Sequence, residues 1–484
     1  MNYKMKGKFV GLILVLEAVF MVPAMLIGVY FGERKAVICF ALTIFLALAL
    51  GLLLGVFGRG SRSVFRAKEG LACVGLSWVF MSILGCLPFY LSGEIPSYID
   101  AFFEIVSGFT TTGASILSEV ESLSKSMLYW RSFSHWIGGM GVLVFLLAFM
   151  PGRDEGGFTT HLLKAESPGP NVGKLVPKMK DTASILYMLY CILTVLDIIF
   201  LLAGGLDPLS AVCIAFGTAG TGGFGVLSDS IASYSPYIQN VCTVFMLLFG
   251  VNFSCYYLLT IRKFKDVWKD EELRTYLGIV FGSVVLIVWN LRGYYDTLAE
   301  TVRHAAFQVA SIITTTGFAT TDFDLWPNFS RALLLMLMIV GACAGSTGGG
   351  FKVGRMLLVI KSAKRSIQQV VSPRKVQVVR SNGYKVSEKV LASTNAYLAA
   401  YVMIIIGSFL LVSLDGFSVT TSLSAVLACF NNIGPGLEMV GPTGNYSEFS
   451  IFSKLVLILD MLAGRLEIFP ILILFSRNTW KRRG

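Results

Sequence analysis

The quartet "TTTG" occurs twice in this chain, at 110–113 and at 314–317. It offers hydroxyl and main-chain carbonyl oxygens, with no acid, base or strong nucleophile among them. Oxygen-only donor sets suit hard cations, and a ring of carbonyls can replace a cation's hydration shell. Glycine closes each quartet, and only glycine turns its carbonyl freely into directions that other residues avoid. Two further segments align on a glycine, "TAGTGGF" at 218–224 and "NNIGPG" at 431–436. The aligned glycines are Gly113, Gly223, Gly317 and Gly434, spaced by 110, 94 and 117 residues. This is a fourfold internal repeat with a period too long for a solenoid. The candidate oxygen donors are Thr111, Thr112 and Gly113; Gly220, Thr221, Gly222 and Gly223; Thr315, Thr316 and Gly317; and Asn432, Ile433 and Gly434. In the second copy three glycines are available, so its register is open by a residue or more. The second and fourth copies lack the triple threonine, which places any symmetry in the glycines and the backbone.

The elements that must hold these segments are membrane helices. The chain has 484 residues, 55% of them hydrophobic and 14% charged, with a mean hydropathy of +0.71. A soluble domain averages about a quarter charged residues. Apolar runs at 9–31, 37–57, 71–91, 136–150, 183–202, 241–260, 276–291, 332–344, 390–414 and 452–475 are the candidate spans. The first run follows Lys4, Lys6 and Lys8 but is longer than the ~7–15 apolar residues of a signal peptide, so it reads as a retained span. Net charge is +11. Most Lys and Arg residues fall in the stretches 1–8, 58–69, 151–181, 261–274, 352–389 and 477–484. The positive-inside rule places these in the cytoplasm, with both termini cytoplasmic. Basic runs lying between spans argue against nucleic-acid binding.

With the basic stretches on one side, each pair of spans crosses and returns. The first pair is joined by the short turn "GERKA", and the next four by longer linkers that each end in a glycine patch. Before each patch lies a short helical segment, too short to span and therefore re-entrant. Asp100, Asp207, Asp296 and Asp415 stand ahead of these segments as candidate caps. The expected fold class is an all-α polytopic membrane protein. It has four pseudo-symmetric span–pore-helix–filter–span repeats around one pore, plus two N-terminal spans. The expected divisions are 1–65, 66–160, 161–270, 271–372 and 373–484. Irregular backbone at membrane depth is tolerated only where protein buries it or where it lines a water-filled cavity. Half-helices that aim their negative C-terminal ends at such a cavity favour a cation.

Other residues bear on the same chemistry. Acidic side chains in the outward linkers, among them Asp100, Glu104, Glu119, Glu121, Asp207, Asp229, Asp322, Asp324, Glu438 and Glu448, would concentrate cations at the mouth. The return span of the third repeat is interrupted by "GACAGSTGGGFK" at 341–352. Gly345, Ser346, Thr347, Gly348, Gly349 and Gly350 cannot support a straight helix cheaply, and a break just inside the oxygen donors would make a gate. The spacing is wrong for a nucleotide-binding loop. Arg465 lies in an apolar span with Asp460 and Glu467 nearby, either as an electrostatic barrier or latch or as a local ion pair. The basic stretch 352–389 is suited to an acidic partner or anionic lipid, with the partner favoured. The nine cysteines show no metal-ligand or disulfide spacing, and His135, His161 and His304 form no catalytic constellation.

With these motifs in view, the chain resembles the Trk/Ktr/HKT superfamily of cation transporters, and its TrkH branch most closely. The resemblance covers nearly the whole sequence. It rests on "TTTGAS" at 110–115, "HWIGGMG" at 135–141, "TGGFG" at 221–225, "TTTGFATTDF" at 314–323, "NNIGPGLE" at 431–438 and "AGRLEIFP" at 463–470. It implies a potassium-conducting pore with K+ as the bound ion, and a homodimer in the plasma membrane, as in a bacterial inner membrane. It further implies a cytosolic, nucleotide-binding partner of the TrkA type that gates the pore. It implies that the 345–350 loop obstructs the path and that Arg465 lies under the filter near that loop. In related plant transporters a serine at the first filter glycine accompanies sodium transport; Gly113 at that position implies potassium. The rival readings are a sodium- or proton-coupled symporter, with Glu17 or Asp197 as candidate second sites, an integral membrane enzyme, and a non-transporting scaffold. The enzyme reading lacks the clustered His, Cys or paired carboxylates it would need.

Overall fold

The computed structural model describes residues 3–59, 67–141, 179–374 and 377–476. Most of the basic stretches 58–69, 151–181 and 477–484, His161, and the second half of the expected span 136–150 lie outside the described residues. Two apolar helices open the chain, α1 (Tyr3–Phe31) and α2 (Arg34–Phe57). They pack closely because Gly11 and Gly51 face one another; a Cβ on Gly51 would come within 2.8 Å of the Gly11 carbonyl oxygen. Small residues let helix backbones approach where lipid supplies no hydrophobic drive.

From there one order of elements recurs. A long helix is followed by a short helix, an irregular segment and a return helix. The first set is α3 (Ala67–Gly85) with α4 (Leu87–Ser92), then α5 (Tyr98–Phe109) and α6 (Lys125–Gly139). The second is α7 (Met179–Ala203), α8 (Pro208–Gly220), α9 (Pro236–Phe249) and α10 (Phe253–Thr260). After the short α11 (Phe264–Lys269) come α12 (Glu271–Asn290), α13 (Leu298–Ile313), α14 (Asn328–Ile339) and α15 (Val353–Val371). The last is α16 (Glu388–Val412), α17 (Val419–Phe430), α18 (Ile451–Arg465) and α19 (Phe469–Phe475).

Six helical stretches among the described residues are long and apolar enough to cross a membrane, or seven if the bent pair α9/α10 counts as one span. Several expected spans are therefore broken. α9 and α10 meet at 88°. α14 and α15 are separated by a loop whose ends pair as a two-residue parallel ladder, Val340–Gly341 (β1) with Phe351–Lys352 (β2). α18 and α19 are parted at Glu467 and Ile468, both with positive φ. The sequence signals a break only in the third set, where glycines advertise it. The break after α18 is made by Glu467 and Ile468, which carry no such signal.

The caps also differ from expectation. Asp207 does cap α8, accepting from the Ser210 amide at 3.0 Å. The other three short helices are capped by Ser97, Thr297 and Ser418. Asp100 sits one turn in, and Asp415 instead accepts from Ser450 at the start of α18. Hydroxyl and carboxylate oxygens cap equally well, so an acid nearby does not identify the capping residue. All nine cysteines are free thiols.

Candidate functional site

Each short helix ends in the same turn. Beyond the C-terminus of α5, the Thr111 amide bonds the Gly108 carbonyl at 3.1 Å and the Thr112 amide bonds the Ser107 carbonyl at 2.9 Å. The equivalent longer bonds run from Gly222 to Gly217, from Thr316 to Ser311 and from Ile433 to Ala428, each 2.8 Å. This is the Schellman pattern, which needs a left-handed residue just past the helix. Here that residue is Thr111 (φ 53°), Thr221 (φ 53°), Thr315 (φ 59°) and Asn432 (φ 56°). Left-handed backbone costs a non-glycine residue roughly 1–2 kcal/mol, and β-branched threonine adopts it rarely. Such strain gathers at functional sites. Two residues on, Gly113, Gly223, Gly317 and Gly434 have φ of 79°, 76°, 84° and 95°. The register of the second copy is thereby settled. Thr221 and Gly223 match Thr111 and Gly113, and Gly220 belongs to the end of α8.

The four segments close on one another in a ring. A Cβ on Gly113 would overlap the Gly222 carbonyl oxygen, one on Gly223 that of Thr316, and one on Gly317 that of Ile433. A Cβ on Gly434 would lie 2.7 Å from the Thr112 carbonyl oxygen, which completes the circuit. All four glycines line one cavity of about 130 Å³, together with Ser115, Arg131 and Tyr446. Neighbouring segments are tied at this level by different devices. Ile231 N–H donates to the Ala319 carbonyl at 3.0 Å, and Tyr446 N–H to that of Ser115 at 2.9 Å. The Tyr446 hydroxyl donates to the Gly434 carbonyl at 2.8 Å. Asp324 accepts from the Glu438 amide.

α6 wedges behind the first two segments. His135 Nδ1 lies 2.7 Å from the Gly108 carbonyl, while the Phe224 amide donates to Nε2 at 3.2 Å. A carbonyl only accepts and an amide only donates, so the ring is neutral with its proton on Nδ1. Glu104 is not a vestibule acid. It is 1% exposed and paired with Arg131 at 2.7 Å. Burial of both side chains behind α5 decides this, and neither residue carries a local sequence signal for it.

On the other side of the ring lies the 341–352 loop. A Cβ on Gly348 would come 2.9 Å from the Thr314 carbonyl oxygen, and one on Gly349 would come 2.6 Å from that of Asn431. The Gly349 amide donates to Thr315 Oγ1 at 2.7 Å. Gly345 and Thr347 face the α9–α10 bend instead; the Gly345 carbonyl accepts from the Phe253 amide at 3.0 Å and Thr347 Oγ1 donates to the Phe249 carbonyl at 3.3 Å. Ser346 bonds within the loop, to the Cys343 carbonyl at 2.7 Å, and Gly350 abuts Gly341. Arg465 donates to the Thr347 carbonyl at 2.7 Å, to that of Gly139 at 2.6 Å, and to that of Gly138. The acids near it in sequence serve elsewhere. Glu467 pairs with Arg355, and Asp460 accepts from Ser408 at 2.7 Å. Lys352 and Arg355, counted with the cytoplasmic basic stretch, are buried here. Lys352 is 1% exposed and donates to the Gly348 carbonyl. Arg355 lies 3.9 Å over the Tyr397 ring.

Residues 38–482 match the family model described as TrkH, cation transport protein. The chain belongs to the TrkH family. Among this family's curated members it is 35% identical to the Trk system potassium uptake protein TrkH of Escherichia coli strain K12, covering 99% of this chain and 100% of the relative. It is 32% identical to the potassium uptake protein TrkG of the same organism, with 97% of each covered. The crystal structure of the potassium transporter TrkH from Vibrio parahaemolyticus superposes with a TM-score of 0.89 at 31% identity, over 99% of this TrkH-family chain and 100% of the other.

Proposed function

We propose that this chain is the pore-forming subunit of a potassium uptake system. The observation that carries the reading is the closed ring of four left-handed turns, Thr111, Thr221, Thr315 and Asn432, each with its glycine against the next turn's carbonyl. Such a ring presents main-chain oxygens in place of a hydration shell, and the four helix C-termini behind it favour a cation. Thr111 Oγ1 and Asn432 Oδ1 are buried beside the ring with no hydrogen-bond partner among the described residues. The potassium named for the relatives supports K+ as the ion. The filter residues are those of the four segments, and the repeats run 66–160, 161–270, 271–372 and 373–484.

The 345–350 loop is the gate in this reading, held closed by Arg465 and by Thr315. The pore operates in a bacterial inner membrane with both termini cytoplasmic, as a homodimer. A cytosolic nucleotide-binding partner works the gate from the cytoplasmic side. Tracer rubidium or potassium flux into liposomes holding purified protein tests the core of the proposal. Selective flux that follows the potassium gradient is expected, and its absence overturns the reading.

A coupled symport is the second reading. It draws on Glu17, which is 1% exposed with both carboxylate oxygens unpartnered among the described residues, and on the buried Asp197. Potassium flux that ignores imposed sodium and proton gradients rejects it.

A further inference from the structure

Glu104 on α5 and Arg131 on α6 form an ion pair whose side chains are 1% and 3% exposed. Each partner also holds a strand leaving the ring. The Glu104 carboxylate accepts from Ser115 Oγ at 2.9 Å and from the Ile116 amide at 2.9 Å. Arg131 donates through Nη1 to the Gly225 carbonyl at 3.0 Å and through Nη2 to Ser115 Oγ at 3.2 Å, and its guanidinium lies 3.5 Å from the centroid of Phe224. Ser115 and Ile116 follow Gly113; Phe224 and Gly225 follow Gly223. One guanidinium therefore spans the exits of the first and second segments, at the cavity that all four glycines line.

Stability does not account for the pair. Replacing a buried ion pair by well-packed apolar residues is often neutral or stabilising. The equivalent positions in the other segments are Ile214, Gln308 and Ala425, so the fold forms such helices without a carboxylate there. What the pair adds is geometry. A planar fork fixed by a carboxylate sets two backbones at one distance, which an apolar contact does not.

We propose that Glu104 and Arg131 are a positioning pair that fixes the spacing of the first two filter segments and so sets the preference for potassium over sodium. This rests on the filter reading. A ring held at one size discriminates between ions of one charge; a ring free to contract at one quadrant does not.

The test is bi-ionic K+/Na+ permeability of the full-length protein in liposomes, with thermal melting of each variant alongside. Glu104→Gln and Arg131→Lys are expected to lose roughly tenfold in selectivity, equivalent to about 1.4 kcal/mol. Glu104→Asp keeps the charge and is expected to retain most of it. Arg131→Lys keeps its charge near Glu104 but loses the fork to Gly225, so it separates positioning from folding. Wild-type selectivity in folded Glu104→Gln and Arg131→Lys overturns the proposal. A wild-type protein that passes both ions alike, or neither, overturns the filter reading instead. Should Glu104→Gln fail to fold, Arg131→Lys and Ser115→Ala, which removes the hydroxyl both partners share, decide the matter by the same criterion.

Discussion

The amide of Gly349 donates to Thr315 Oγ1 at 2.7 Å, so one hydrogen bond joins the loop beneath the ring to the ring's third segment. Thr315→Val keeps the β-branched shape and removes the acceptor. Leaving a buried amide unpaired costs about 1–3 kcal/mol, enough to shift a closed–open balance by roughly fivefold or more. Basal flux without a partner protein is expected to rise by that factor. Flux at the wild-type level in a folded variant would remove this bond from gating.

Arg465 bridges the loop and α6 through three carbonyls. Arg465→Gln cannot reach all three and carries no charge, so basal flux is expected to rise about tenfold. Arg465→Lys restores the charge but not the fork, and an intermediate flux is expected. If the lysine variant matches wild type while glutamine does not, the charge alone is the barrier and the bridging geometry is irrelevant.

Gly113 tolerates no side chain where it stands. Its φ is 79°, and a Cβ there overlaps the Gly222 carbonyl oxygen. Gly113→Ser must push that carbonyl out of the ring, and K+ over Na+ selectivity is expected to fall by about tenfold or more. Gly407 in α16 has nothing within 4 Å of an added Cβ. Gly407→Ala is the matched control and is expected to leave selectivity unchanged. Equal selectivity in Gly113→Ser and wild type would contradict the ring as the discriminating element.

Ser418 both caps α17 and bonds the Glu438 carboxylate, which holds Glu438 below its ordinary range. A depressed carboxylate stabilises the fold at neutral pH, and that contribution is lost only as pH falls through the lowered value. Ser418→Ala is expected to cost about 1 kcal/mol through the cap. It also moves the acid loss upward, toward the ordinary Glu range near ~4.3. Melting temperature against pH reads both effects. A variant whose acid limb is unmoved would show that the bond to Glu438 carries no linkage.

Lys352 shows how charge position misleads. In the sequence it opens a run of basic residues and reads as cytoplasmic. In the fold its ammonium reaches the Gly348 carbonyl beneath the ring. Lys352→Met is expected to raise basal flux as Thr315→Val does, and combining the two should add little, because both loosen one loop. Strict additivity would place Lys352 outside the gate.

The glycine period and the alternation of apolar runs with basic stretches were enough, by themselves, to align Thr111 and Thr315, each two residues before a glycine, as equivalent positions of one repeated segment. Those signals are local or periodic: a short helix too small to span, a glycine after it, and a charge bias between spans. The register of the second segment, the bend between α9 and α10, the break at Ile468, the bridge from Arg465 to Thr347, and the pairing of Glu104 with Arg131 were decided by tertiary structure. Each depends on a partner from a distant part of the chain or on a backbone twist that non-glycine residues resist. Thr221 reads as one of several candidate donors in an open register until its neighbours force it left-handed. Glu104 reads as a mouth acid until α6 brings Arg131 against it and excludes water.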